Sequence, residues 1–128
     1  MRDRRQLLGD EGEGQAEAYL RGQGLRIVGR NVRSPLGELD LIADDGGILV
    51  FVEVKRRRTG AYGGALEAVG ARKRAKLIQL ASQYLAQHRL HDRMCRFDVV
   101  LIQDDAGACA VVQHIANAFD VAGDDLRW

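Results

Sequence analysis

The chain has 128 residues, 46% hydrophobic and 29% charged, which describes one folded domain rather than a disordered or fibrous chain. No segment approaches the ~18 apolar residues of a membrane span. Met-Arg-Asp-Arg-Arg at the start leads into no long apolar signal region, so a cytoplasmic protein with no membrane role is expected.

The net charge of +1 conceals a split. Residues 55–76 carry Lys55, Arg56, Arg57, Arg58, Arg72, Lys73, Arg74 and Lys76 against Glu67 alone, leaving the remainder net negative. A local basic patch on a near-neutral protein suits a polyanion, although the same residues would also make a solvated helix face. Cys95 and Cys109 lack any Cys-x-x-Cys or paired-His spacing, so they indicate neither a disulfide framework nor a zinc site.

In chain order, residues 1–8 are charged and expected to fray. Asp10 to about Gln23 reads as a helix, with Asp10 as N-cap and Gly24 as stop. Ala16 and Leu20 mark its buried stripe, and Glu13 lies on that same face. An acid on an apolar stripe either snorkels at its edge or aims into a site. Glu17, one turn later, competes for the same role, and spacing leaves the two open.

Leu25–Val32 is a first strand, and Arg33-Ser34-Pro35 connects it to a hairpin of Leu36–Ala43 and Ile48–Lys55 around Asp44-Asp45-Gly46-Gly47. A loop of two residues at Asp45-Gly46, or of four at 44–47, places Asp40 opposite Phe51 and Glu38 opposite Glu53. Strand side chains alternate with period two. One face then collects Leu39, Leu41, Ala43, Ile48, Val50, Val52 and Val54. The other carries Ile42, Leu49 and Phe51 near the turn, then Asp40, Glu38, Glu53 and Lys55 at the open end.

In this register Asp40 and Glu53 are diagonal neighbours, about 7–8 Å apart at the backbone, and their carboxylates can share an ion. The plainer reading is a wet polar end of a hairpin. Like charges set opposite each other are unfavourable, however, unless a cation or a proton lies between them. Magnesium fits, being a hard ion bound by one or two carboxylates with waters and phosphate oxygens.

Gly60, Gly63 and Gly64 are expected to make a flexible loop around Tyr62. A helix is expected from about Leu66 to His88, interrupted near Gly70, with Leu66, Val69, Leu77, Leu80, Ala81 and Tyr84 as its apolar positions. Lys73 falls on that stripe, whereas Arg72, Arg74 and Lys76 point elsewhere; a lysine stem packed on the core with its ammonium in water is the plain alternative. Arg96–Gln103 and Cys109–Ile115 are the last strands, joined at Asp104-Asp105-Ala-Gly. Helix, three strands, helix and two strands imply an α/β domain whose central mixed sheet is flanked by helices. His88, His91 and His114 lack ligand spacing and read as surface or cap residues. The aromatics form no base-stacking pattern.

The segments Gly37-Glu38-Leu39-Asp40-Leu41-Ile42, Phe51-Val52-Glu53-Val54-Lys55-Arg56-Arg57 and Arg96-Phe97-Asp98-Val99-Val100 resemble the YraN-like family of small bacterial proteins. Gly9, Glu13, Ala16 and Leu20, Arg30-Asn31, Tyr62-Gly63, Lys73 and Asn117-Ala118-Phe119 extend the likeness over nearly the whole chain. That family is regarded as a group of predicted endonucleases with the restriction-endonuclease-like fold, similar to archaeal Holliday junction resolvases. The resemblance implies a single domain over residues 1–128 with Asp40, Glu53 and Lys55 as the nuclease core. It also implies Glu13 as a fourth acid in preference to Glu17, and Glu38 as a further one. Leu39-Asp40 replaces the Pro-Asp of the broader nuclease motif without removing a ligand.

The expected activity is Mg2+- or Mn2+-dependent hydrolysis of phosphodiester bonds in DNA, branched or structured DNA in particular. Asp40, Glu53, Glu13 and Glu38 would hold metal, and Lys55 would stabilise the attacking hydroxide or the developing charge. Arg56, Arg57, Arg58, Arg72 and Lys73 would position the nucleic-acid backbone. Likeness to junction resolvases suggests a homodimer. Two other classes stand beside this one: a non-catalytic nucleic-acid-binding subunit, and a protein of DNA repair, recombination or uptake active only with a DNA-processing partner.

Overall fold

A computed structural model describes residues 4–58, 70–105 and 108–119. Helix α1 (Arg4–Gly22) is followed by β1 (Arg26–Ser34), β2 (Gly37–Asp45) and β3 (Ile48–Arg58), then helix α2 (Ala71–Gln87), β4 (Cys95–Asp105) and β5 (Ala108–Ile115). The strands form one sheet in the order β1-β2-β3-β4-β5. Only the β3–β4 pair is parallel; α2 makes its crossover, and the other neighbours are antiparallel. The result is the expected α/β mixed sheet with helices. No helix among the described residues is long and apolar enough to cross a membrane.

Each face of the sheet carries its own core. Ala16, Leu20 and Leu25 cover Leu41, Ala43, Val50, Val52, Val100 and Ile102 on the α1 side. On the other side Leu77, Leu80, Ala81, Tyr84 and Leu85 of α2 cover Leu39, Ile42, Leu49, Phe51, Phe97, Val99 and Leu101. Burying both faces explains why β3 and β4 read as nearly continuous apolar runs.

Several details bear on the sequence reading. Helix α1 begins at Arg4, so Asp10 is internal rather than an N-cap. Its expected stop holds: the Gly24 amide (φ +92) bonds the Arg21 carbonyl and the Leu25 amide bonds the Leu20 carbonyl, a Schellman closure sealed by two buried leucines. Helix α2 starts directly after Gly70, which caps it without a side-chain bond. The expected helical positions Leu66 and Val69, and the loop around Tyr62, lie outside the described residues.

The hairpin turns at Gly46-Gly47, and Asp45 pairs with Ile48. Both glycines have positive φ (+58 and +102), and the Gly47 amide donates to Asp44 Oδ1 at 2.8 Å. The register is therefore shifted by two residues from expectation. Ile42, not Asp40, lies opposite Phe51, and the same spacing brings Asp40 level with Glu53. A shift of two preserves parity, so most residues keep their face.

Leu39 is the exception. It packs under α2 although Leu41 packs under α1. The alternation breaks beside Asn31, which has φ +49 and lies between the pairs Arg30↔Leu41 and Val32↔Leu39. Asn tolerates this left-handed conformation better than most residues.

On β4, level with Val52, Asp98 is 1% exposed and fully engaged. It accepts from Arg96 Nε (3.0 Å), from the Asn117 amide (2.9 Å), and pairs with His114 Nε2 at 2.8 Å. Arg96 also reaches Asp45 at 2.8 Å, tying β4 to the hairpin turn. His114 is thus a partner of a buried acid rather than a surface residue. The Ala118 amide bonds the Phe97 carbonyl at 2.7 Å, and Phe119 stacks on Phe97. These contacts explain why Arg96-Phe97-Asp98 and Asn117-Ala118-Phe119 occur together. Breaking a buried charge network of this kind is expected to destabilise by about 3–5 kcal/mol. Urea denaturation of Asp98→Ala should show that loss with an unchanged m-value; a loss below about 1 kcal/mol would mean the network is not structural.

Candidate metal and nucleic-acid site

The β2–β3 ladder pairs residues from Asp45↔Ile48 to Leu41↔Val52. At the next level Asp40 Oδ2 accepts the Val54 amide at 2.9 Å, a side chain bonding the backbone of the neighbouring strand. Carboxylates gather around this point from both sides of the sheet.

From α1, Glu13 approaches on the same helical face as buried Ala16 and Leu20, one and two turns on. One carboxylate oxygen each from Glu13, Glu38 and Asp40 lies within 4.8 Å of the other two, and all three residues are half-buried. Asn31, held in its left-handed conformation, hydrogen-bonds Glu13. Its role was hidden in the sequence, where Asn31 stood out as part of the family likeness and as an asparagine inside a strand. The break in alternation also gives Glu38 its position. With Leu39 turned towards α2, Glu38 joins Glu13 rather than the face of Glu53 and Lys55.

Glu17, the alternative to Glu13, is engaged elsewhere. Arg30 forms a two-pronged bond to it and Arg21 pairs at 2.8 Å. The Arg30 hydrogen bonds hold its carboxyl below the usual range. An acid so neutralised is a poor candidate for a cation.

Glu53 is 5% exposed. Its Oε1 receives Lys55 Nζ at 3.2 Å from its own strand and Lys73 Nζ at 3.5 Å from α2. Oε2 is buried and has no hydrogen-bond partner among the described residues. Lys73 therefore points inward, as its place on the apolar stripe implied. Arg72, Arg74 and Lys76 are exposed on α2, and Arg56 is half-buried on β3. The side chains of Arg57 and Arg58 lie outside the described residues. Gly37, with φ +146, lies under Lys76; a Cβ there would come within 3.1 Å of the lysine Cε.

Crowding has an electrostatic signature. Burial, then the charge of Glu53, push Asp40 up to about 7 from an ordinary 3.8; the Val54 amide opposes this, and Glu13 and Glu38 add to it. Burial followed by Glu38 raises Glu13 as well. Such a site lacks positive charge. Its donors are hard carboxylate oxygens and it includes a buried oxygen without a partner, so it fits Mg2+ or Mn2+ better than a soft metal. Glu13, Glu38 and Asp40 would hold the ion; Glu53, whose charge acts on Asp40, lies outside this three-acid group.

The sign of the pH effect follows. Asp40 binds its proton more tightly folded than unfolded, so stability of the metal-free protein falls as pH rises from about 4 to about 7. Asp40→Asn keeps an acceptor for Val54 and removes that dependence. The variant should melt several degrees above wild type at pH 8, at about 4 °C per kcal/mol, and not at pH 4. Saturating Mg2+ should narrow the gap by stabilising the wild type. A difference independent of pH, measured by thermal denaturation, would refute the buried-acid account.

Comparison with known proteins gives one answer. A family model described as "Uncharacterised protein family UPF0102" matches residues 12–102. A UPF0102 protein of Syntrophotalea carbinolica is 47% identical over 116 residues, covering 91% of this chain and 94% of its own. One from Pelotomaculum thermopropionicum is 46% identical over 120 residues, 93% of this chain and 100% of its own. The UPF0102 protein STH1475 of Symbiobacterium thermophilum is 48% identical over 112 residues, with 88% and 95% covered.

Proposed function

The chain belongs to the UPF0102 family, the YraN-like group its motifs indicate, and we propose that it is a divalent-metal-dependent endonuclease acting on DNA in the cytoplasm. The observation that carries this reading is the meeting of Glu13, Glu38 and Asp40 beside a buried Glu53 flanked by two lysines. An acid cluster alone is common on protein surfaces. Here Glu13, Glu38 and Asp40 are half-buried, the proton affinities of Glu13 and Asp40 are raised, and amines stand within reach of the same place.

A divalent ion, when bound, supplies neutralisation of phosphoryl charge and acidification of water. The protein's residues divide the remaining work. Asp40 is fixed by the Val54 amide, so its other oxygen is oriented without motion of the side chain. Asn31 orients Glu13 in the same manner. Lys55 lies on the strand of Glu53 and presents a compact positive charge to the charge that develops on phosphate oxygens. Arg56, Arg57, Arg58, Arg72 and the exposed basic residues of α2 would hold the sugar–phosphate backbone without reading sequence. Junctions and flaps are favoured as substrates by the likeness to junction resolvases, with a two-fold dimer supplying two such sites.

The deciding measurement is cleavage of a four-way junction, a flap, single strands and linear duplex, in magnesium, manganese or chelator. Wild type should cut one structure in a metal-dependent manner, and Asp40→Asn or Glu53→Gln should reduce that rate by at least about 100-fold, the scale of a lost electrostatic stabiliser. Binding of branched DNA without cleavage, equal in wild type and Asp40→Asn, would overturn the nuclease reading. The non-catalytic or partner-dependent role would then take its place.

A further inference from the structure

Lys55 and Lys73 both reach Oε1 of Glu53, at 3.2 and 3.5 Å, while Oε2 is buried with no hydrogen-bond partner among the described residues. The two lysines are not equivalent. Lys55 follows Glu53 by two residues on one strand, so the pleat itself places them together. Lys73 belongs to a different element, near the start of α2. Its neighbours Arg72 and Arg74 are exposed, whereas Lys73 turns its ammonium to Glu53 on β3.

Charge arithmetic gives this contact a condition. Glu13, Glu38, Asp40 and Glu53 face Lys55, Lys73 and Arg33, the last 3.3 Å from Glu38. With all groups ionised the cluster carries one net negative charge. A divalent cation would reverse it to one positive, and Glu53 would then need fewer amines. Lys73 is free to answer: its side chain is 37% exposed and swings on a four-carbon stem without unpacking the core. It also stands at the positive end of a helix that has no acid in its first turn and no side-chain cap, a surface already suited to an anion.

We propose that Lys73 is an exchangeable counter-ion, pairing with Glu53 in the metal-free protein and turning to a nucleic-acid phosphate once Glu53 is neutralised by a divalent cation. This rests on the metal-dependent, DNA-binding reading above and adds a coupling to it: metal loading raises affinity for the backbone through one identified residue. Lys73 is thus a positioning residue whose partner changes with the state of the site.

The test uses the whole chain as wild type, Lys73→Met and Lys73→Arg. Manganese binding without DNA is measured by calorimetry, and binding of duplex DNA is followed against salt in chelator and in calcium. Loss of the competing amine should tighten manganese binding by Lys73→Met about five-fold, the weight of one unit charge at contact range in water. In chelator, wild type and Lys73→Met should share one salt dependence. In calcium, the log–log slope of Lys73→Met should be shallower by about 0.9, one phosphate contact, while Lys73→Arg keeps the wild-type slope.

A shallower slope in chelator as well would make Lys73 a permanent phosphate contact and overturn the exchange. Unchanged manganese affinity would overturn it too. Should Lys73→Met melt early, Lys73→Gln carries the same two readouts. A wild-type protein that binds no manganese would sink the metal-dependent reading itself, which separates the two failures.

Discussion

The bond from the Val54 amide to Asp40 Oδ2 stands where the β2–β3 ladder ends. A side-chain acceptor there serves a backbone donor that would otherwise be buried without a partner. It also fixes an acidic group at the point to which both faces of the sheet have access. Glu13 and Glu38 come to it from the α1 side, and Glu53 stands level with it on β3 with its lysines. Four acids in such a space oppose folding, and the two apolar cores that sandwich the sheet must outweigh them. The site is therefore a local conflict held in place by a consistent remainder, the pattern expected where a fold serves chemistry.

That remainder is stiffened by a charged network on the neighbouring strand β4. Asp98 gathers Arg96, His114 and the Asn117 amide, and Arg96 carries the connection to Asp45 at the hairpin turn. Phe97, one residue from Asp98, stacks on both Phe51 and Phe119. Glu53 lies two residues beyond Phe51 on β3, so the aromatic stack and the charged staple both fix the strand that bears it. Supporting contacts of this type set how accurately a reactive group is held, although they touch nothing that reacts.

How much of this was legible depended on which periodicity was broken and where. The hairpin and its acidic end were readable because period-two alternation survives a register error of two residues. Asp44-Asp45-Gly46-Gly47 offers more than one turn, and only the positive φ of both glycines selects the one adopted. The face of Glu38 was not readable, because Asn31 breaks the alternation from the neighbouring strand, at a distance in sequence. Glu13 and Glu17 were inseparable by spacing; Arg30, on β1, neutralises Glu17 across the fold. Lys73 was found because a helical stripe is a local signal. Asp98 carried a signal that went unread: one acid within the apolar run Arg96-Phe97-Asp98-Val99-Val100 needs a buried partner.

Helix α2 shows the same conflict in another form. Its first turns carry Arg72, Lys73, Arg74 and Lys76, all of them charged against the helix dipole, and Gly70 offers no side-chain cap. A capping side chain is worth about 1 kcal/mol, and acids in the first turn add several tenths each. Neither is used here. Leu77, Leu80, Ala81, Tyr84 and Leu85 anchor the rest of the helix to the sheet, so its N-terminal turns can bear an arrangement that burial alone must stabilise. Positive charge at the positive end of a helix works against folding and in favour of an anion. With Lys73 joined to Glu53 and its neighbours left exposed, this end of α2 links the acidic site to the basic surface.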